Sequence, residues 1–429
     1  MLVLVAALQL AAAPIHQEVT MASDTLLEIT LEEALRLSAD LDPNYVAATR
    51  QIADASWSRR AAITAFIVPA VSAQLTATKF SSAFFNIGTG QPASTIVDAR
   101  IDARLNLFSG LGKVYELQRA NAELAGANAG ELEARFATAV QTESDYYDVI
   151  AQRELTRVAT ERVGRAQEQL AIARARVISG AAVQTDSLQL LLELTQARVD
   201  LLRQQARLKV ARYQLARRVG AAGPVDAVGR DMGEARQLPV TEEEAIDEAV
   251  SQSPQAVAAR ASERAGEALV RSVRGEYLPW IDLFGQVSAT DEKFFPTATS
   301  RSSIGLRVTM PIWNDAQREI SLSRATSSRQ IARAVRADVE LALQRDVVEA
   351  YEAYEAASAA ALLAEQSVVV ARENLRVQEE RYRAGATTII DLITAQVSLS
   401  EADAGLVQAR FATRLALSGL EAILGRRLF

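Results

Sequence analysis

The stretch Val97-Asp98-Ala99-Arg100-Ile101-Asp102-Ala103-Arg104-Leu105-Asn106-Leu107 alternates apolar and polar residues without a break. Successive side chains of a β-strand point to opposite faces. As a strand, the segment has one face with four charges of alternating sign and another with none. Three further segments alternate, around Val71–Ala77, Ile304–Ile312 and, for the most part, Ile281–Ala289. The pattern predicts strands over about 70–80, 96–107, 281–290 and 302–313. Each is near the length of a tilted membrane strand. Aromatic residues gather beside them, among them Phe66, Phe80, Phe84, Phe85, Tyr277, Trp280, Phe294 and Trp313.

Two readings of these strands stay open on pattern alone. A soluble hairpin domain would bury the apolar face; a membrane sheet would turn it to lipid. Geometry adds a condition to the second. Four strands cannot close a barrel, and open sheet edges are not tolerated in lipid. Several chains must then share one barrel, its lumen lined by Asp98, Arg100, Asp102, Arg104 and Arg307. Those charges are either a hydrated wall or selectivity elements.

Outward from the strands, the chain repeats itself. A shift of 205 positions superimposes Tyr146 on Tyr351, Arg176 on Arg381, Gly180 on Gly385, Asp186 on Asp391 and Gly220 on Gly425. Upstream the offset becomes 211, pairing Thr30 with Thr241 and Pro43 with Pro254. The expected organisation is a first repeat over 28–220, a linker over 221–239 and a second repeat over 240–425. Thr30-x-x-Glu33 and Thr241-x-x-Glu244 read as capping boxes. Asp42-Pro43 and Ser253-Pro254 place an N-cap before a first-turn proline.

Proline is absent between Ala93 and Gly223 and after Pro311, and helical spacing fills those intervals. Leu155, Ala159, Val163, Ala166, Leu170, Ala173 and Val177 step by three or four, a coiled-coil-like seam. Helices are expected over about 112–178, 184–219, 316–383 and 388–424. The longer ones would each reach roughly 100 Å at 1.5 Å per residue. Gly180 and Gly385 would turn the chain back at the far end.

Composition excludes several classes. There is no cysteine, and the one histidine is His16, which removes thiolate chemistry, zinc sites and a Ser-His-Asp apparatus. A net charge of −7 argues against a nucleic-acid partner. No glycine-rich phosphate loop is present, so energy for any transport must come from a partner. No enzyme activity, cofactor or metal is expected. Residues 1–22 read as an export signal, with an apolar run from Leu2 ending in Ala11-Ala12-Ala13 and cleavage between about Ala11 and Ala22; a disordered apolar tail is the other reading.

The duplicated unit of helix, hairpin, long helix, glycine turn and helix resembles the TolC-type outer-membrane efflux proteins. The resemblance covers nearly all of residues 28–425 and is most specific at Arg176-Val177-Ile178-Ser179-Gly180 with Thr185-Asp186, and at Arg381-Tyr382-Arg383-Ala384-Gly385 with Thr387-Thr388-Ile389-Ile390-Asp391. It implies an α+β membrane protein of the outer membrane of a Gram-negative bacterium. Three chains would form a twelve-stranded β-barrel, four strands from each, continued by a long α-helical coiled-coil barrel in the periplasm. The homotrimer would be a passive exit duct of a tripartite efflux or type I secretion system. It would work with a periplasmic adaptor (membrane fusion) protein and an inner-membrane pump or ABC transporter. A periplasmic coiled-coil scaffold or adaptor without a barrel is the alternative.

The resemblance also implies site residues. Asp186 and Tyr382 match a lock at the periplasmic entrance; Thr387 stands where some members carry arginine. Asp391 matches an acidic constriction ring, and Thr394 occupies its second acidic position. The turns at Ser179, Gly180, Ala181 and at Ala384, Gly385, Ala386 would meet the adaptor. Two plainer roles stay open: Thr388-x-x-Asp391 as a helix cap, and Tyr382 as seam packing.

Overall fold

The computed structural model describes residues 26–86, 90–229, 236–295 and 298–429. The candidate export signal over 1–22 lies outside the described residues. In chain order the elements are β1 (Leu27–Ile29), α1 (Leu31–Leu41), α2 (Pro43–Thr64), β2 (Ala70–Asn86), β3 (Gln91–Ser109), α3 (Gly112–Ile178), α4 (Gln184–Val219) and β4 (Val225–Ala227). The second half continues with α5 (Glu242–Gln252), α6 (Pro254–Arg274), β5 (Trp280–Asp291), β6 (Thr299–Thr309), α7 (Gln317–Arg383) and α8 (Ile389–Leu424).

Local chemistry sets the helix starts. Asp42 Oδ1 accepts the amides of Asn44 at 2.8 Å and Tyr45 at 3.2 Å ahead of the proline-started α2. Ser253 does the same for α6 through Ala256, at 3.2 Å. Thr241 and Glu244 form a full capping box. In the first repeat only half of that box is made: Thr30 Oγ1 accepts the Glu33 amide, at 3.2 Å.

α3 and α7 have 67 residues each, α4 and α8 have 36. The long helices end in matched turns. The Gly180 and Gly385 amides bond Val177 and Tyr382 carbonyls, and the Ala181 and Ala386 amides bond those of Arg176 and Arg381. Both bonds of a Schellman motif are present, and they require the positive φ of 74° that each glycine adopts.

α3 is the spine. It packs against α2 and α4 on one flank and against α6 and α8 on the other; α7 packs on the outer side of α6 and α8. The order across the sheet-proximal half is therefore α2-α3-α6-α7, and across the tip-proximal half α4-α3-α8-α7. α7 is one edge throughout. α2 and α4 form the other.

The edges carry apolar residues with nothing against them. On α4, Leu188, Leu192, Val199, Leu202, Val210 and Tyr213 are exposed at helical spacing. On α7, Ile331, Val335, Leu341, Leu362, Val369 and Val370 are exposed.

The four long strands form one antiparallel sheet in the order β2-β3-β5-β6. β3 and β5 join the two repeats, and β2 and β6 are free edges. Strand extents differ from the sequence expectation. β2 runs on to Asn86 and β3 begins at Gln91, so this hairpin projects beyond the other. β6 stops at Thr309, because Pro311 has no amide to donate to a ladder; Met310–Trp313 are outside the strand.

The linker expected over 221–239 contains an unforeseen element. β4 pairs in parallel with β1, Leu27 opposite Val225 and Ile29 opposite Ala227. Asp226, the central residue of β4, is buried and bound by Arg212 at 2.5 Å and Arg153 at 3.3 Å. This small sheet seats on a core of Tyr146, Val149, Ile150, Leu208 and Leu215 between α3 and α4.

Both strand-to-helix passages use a cation that holds the carbonyl seven residues before it. Lys113 Nζ donates to the carbonyls of Asn106 and, at 2.6 Å, Ala65, and lies over the Phe66 ring. Its repeat equivalent Arg318 donates to Pro311 at 2.9 Å and Ile312 at 3.1 Å and lies over Tyr277.

Candidate functional site

The first candidate region is the paired helix tips. Tyr382, in the last turn of α7, is buried at 3 % exposure among Leu170, Ala173, Leu190, Ile389 and Leu392. Core packing is thus one of its roles. The Arg176 guanidinium, from the last turn of α3, lies 4.8 Å from the Tyr382 ring centroid and donates to the Tyr382 carbonyl. It also reaches the Ala181 carbonyl, at 3.4 Å. Arg381, the repeat equivalent, makes the corresponding turn contact, with Ala386 at 3.3 Å, and acts on Asp391 of its own repeat. The tips are therefore tied asymmetrically, and Arg176 is the tie.

The Tyr382 hydroxyl is buried and has no hydrogen-bond partner in this structure. Burial pushes its pKa above the ordinary tyrosine value, and the nearby Asp186 carboxylate adds to this; Arg176 opposes it. Asp186 stands partly exposed in the first turn of α4.

Asp391 is placed otherwise. Its carboxylate accepts the hydroxyls of Thr388 at 2.7 Å and Thr387 at 2.9 Å, and the Thr388 amide at 3.2 Å. Thr388 Oγ1 returns the bond by accepting the Asp391 amide, at 3.3 Å. These bonds, those from Thr388 first, hold the exposed carboxyl below its ordinary range. The structure makes Asp391 half of the α8 capping box. Thr394 donates to its own helix, at the Ile390 carbonyl, 2.8 Å away. Asp186 thus acts on Tyr382 electrostatically, with no hydrogen bond between them. Thr387 and Asp391 form a separate pair, and Thr394 joins neither.

The turn residues Ser179, Gly180, Ala181, Ala384, Gly385 and Ala386 are all exposed at the end of the molecule. Ile178 beside them is 88 % exposed.

The second region is the sheet. By register, Asp98, Arg100, Asp102 and Arg104 share a face with Asp282, Gln286, Ser288 and Thr290 of β5 and with Arg301, Ser303 and Arg307 of β6. The five residues expected together are therefore on one surface. Val71, Leu75, Ile101, Ile304, Leu306 and Val308 project from the other and are between 54 and 80 % exposed. Asp282 was missed by sequence reasoning. It is 3 % exposed and accepts from Arg104 at 2.6 Å and Asn106 at 2.9 Å, a contact that only the β3–β5 pairing creates. Arg176 was missed as a partner of Tyr382 for the same reason, although its motif stood out.

Residues 245–426 match the pattern of the family described as outer membrane efflux protein. The frame matches solved outer-membrane channels along almost all of its length. A membrane protein from Pseudomonas aeruginosa superimposes with a TM-score of 0.78 at 18 % identity, covering 94 % of this chain and 91 % of that one. The open state of the outer membrane channel MtrE of Neisseria gonorrhoeae gives 0.78 at 16 % identity, covering 95 % and 94 %.

The sequence match to this family thus lies within the second repeat, and the likeness of fold to outer-membrane channels extends over the whole frame. The outer membrane efflux protein BepC of Brucella suis is 25 % identical over 278 residues, which are 63 % of this chain and 59 % of that protein. The chain thus aligns with less than two thirds of this relative's length. Expectation and finding agree on the fold: an α+β chain whose small sheet stands on very long helices. The four-stranded sheet keeps two free edges, β2 and β6.

Proposed function

We propose that the chain is one protomer of a passive exit duct in the outer membrane, reaching into the periplasm. One observation carries the reading. The sheet exposes an apolar face, concentrates charge on the other, and ends in two free edges. In lipid such a sheet is stable only when each β2 pairs with the β6 of another chain and the ring closes. Three copies, the number implied by the family resemblance, bring twelve strands. The helices support the same closure, since the exposed stripe of α7 meets α2 and α4 of the next chain when the sheet edges meet. No described helix is long and apolar enough to cross a membrane.

On this reading solute passes through a water-filled tunnel and no bond is made or broken. An inner-membrane pump or ABC transporter supplies the energy, and a periplasmic adaptor engages the exposed turns around Gly180 and Gly385. Tyr382, riveted by Arg176, and Asp186 narrow the entrance. Thr387, Asp391 and Thr394 line it beside them.

Detergent extraction followed by electron microscopy tests the proposal. A three-fold particle with a detergent belt at one end and a hollow stem supports it. A monomer recovered in the soluble fraction overturns it and favours the periplasmic scaffold.

A further inference from the structure

The polar face of the sheet is not evenly balanced. Hydrogen-bonded register aligns Gln74, Arg100, Ser288 and Arg301 in one row across β2, β3, β5 and β6. That row has two guanidinium groups and no carboxylate. The next row toward the helices, Ser72, Asp102, Gln286 and Ser303, has one carboxylate. Farther along, Arg307 stands opposite Asp282.

The aspartates are largely committed. Asp282 is held by Arg104 and Asn106, at 2.6 and 2.9 Å. Asp98 lies 3.6 Å from Arg100 and accepts the Thr290 hydroxyl at 2.9 Å. The Arg307 guanidinium lies 5.0 Å from the Phe284 ring centroid and shares, at longer range, the Asp282 carboxylate that Arg104 and Asn106 already bond. Arg301 and Arg307 are on the edge strand β6. The other edge strand, β2, presents only uncharged Ser72, Gln74, Thr76 and Thr78 on this face. Joining β6 to a neighbour's β2 therefore brings no carboxylate to either arginine.

We infer that the barrel lumen holds an anion-binding belt formed by Arg100, Arg301 and Arg307, which favours passage of solutes bearing phosphate or carboxylate groups. The inference rests on the duct reading. Guanidinium groups present paired donors that match these anions. Arginines lining a pore are a general means of selecting anions, and lumen substitutions in barrels tune selectivity. The acidic Asp186 and Asp391 lie at the tips, roughly 100 Å down the helices, far beyond a Debye length of about 10 Å. They do not cancel the belt for an ion that enters from the barrel end.

The test uses the detergent-purified full chain in planar bilayers, with tripolyphosphate added to the compartment that the barrel opens into. Wild-type channels are expected to be blocked. In R100Q/R301Q/R307Q the half-blocking concentration is expected to rise about tenfold or more, as three charges leave the wall. Asp102→Asn is expected to lower it. Block by hexamminecobalt(III) from the same side is expected to be no weaker in the triple variant. A heat-resistant oligomer band shows that the variants assemble. Conducting wild-type channels without tripolyphosphate block, or equal block in the triple variant, overturn the belt and leave the duct standing. Wild-type protein that inserts no channels overturns the duct and the belt with it.

Discussion

The Arg176 guanidinium stacks on the Tyr382 ring, 4.8 Å from its centroid, and holds the Tyr382 carbonyl, so one side chain of the first repeat ties down the tip of the second. The α3–α4 and α7–α8 pairs cannot separate at this end without breaking both contacts. A desolvated cation–π pair contributes on the order of 1–2 kcal/mol. Arg176→Ala is therefore expected to raise the conductance of single channels in planar bilayers, whereas the equivalent change Arg381→Ala, which breaks contacts within its own repeat, is not. Equal effects of the two would remove the asymmetry argued for the tips.

Tyr382→Phe removes a buried hydroxyl that has no partner. Its effect on thermal stability near pH 7 is expected to be neutral or favourable, by up to about 1 kcal/mol. The pH dependence has a definite sign. The folded pKa is raised above the ordinary 10.0, so the native state favours the protonated phenol. That contribution is complete below pH 10 and is lost as pH rises through the folded value. Alkaline unfolding followed by circular dichroism is thus expected to begin at higher pH in the phenylalanine variant.

Asp391 carries the opposite sign. Its folded pKa is lowered by the Thr388 and Thr387 hydroxyls. The cap is present above the ordinary carboxylate range and is lost as pH falls through the folded value. Asp391→Asn and Thr388→Ala are both expected to speed hydrogen exchange in the first turn of α8 near neutral pH. At a pH below the folded value the wild type is expected to match them.

Near the end of α8, Arg427 bridges Glu143 of α3 and Glu421 of α8, both nearly buried, and the Glu421 contact is 2.6 Å. Ser418 also bonds Glu143. Arg427→Met leaves two carboxylates together without their cation. A loss of about 3 kcal/mol is expected, read as a lower thermal unfolding midpoint of the solubilised protein. Restoring the packing with Glu143→Gln in the same chain should recover part of it.

Ile101 is on the apolar sheet face, 54 % exposed and paired with Ala73 and Val287. Ile101→Arg is expected to cost about 2–4 kcal/mol if the row lies near the bilayer midplane. Asp102→Arg, one residue on and on the other face, is expected to assemble normally. The yield of heat-resistant oligomer on unheated gels separates the two. Equal yields would show that the faces are assigned wrongly.

Much of the architecture was legible before any coordinates. Strand alternation marks the two faces of the sheet, since side chains alternate with period two whatever the partner strand. Proline-free intervals with coiled-coil spacing mark the long helices, and Gly180 and Gly385 mark their reversals. Short elements were not legible. β1 and β4 are three residues each and pair across almost 200 positions, too short for any periodic signal. The end of β6 at Thr309 was overrun because apolar Met310 and Ile312 continue the alternation past the proline that stops the ladder.

By itself, the sequence determined which residues share a strand face, where the helices start and turn, and that the chain is built twice. These follow from backbone geometry and local hydrogen bonding, which act over a few residues. Only the tertiary structure decided that Arg176 seats on Tyr382, that Asp282 takes Arg104, and that Arg100 and Arg301 share one row. Each joins residues more than 170 positions apart, and chain spacing has no say in which side chains meet once two repeats fold against each other.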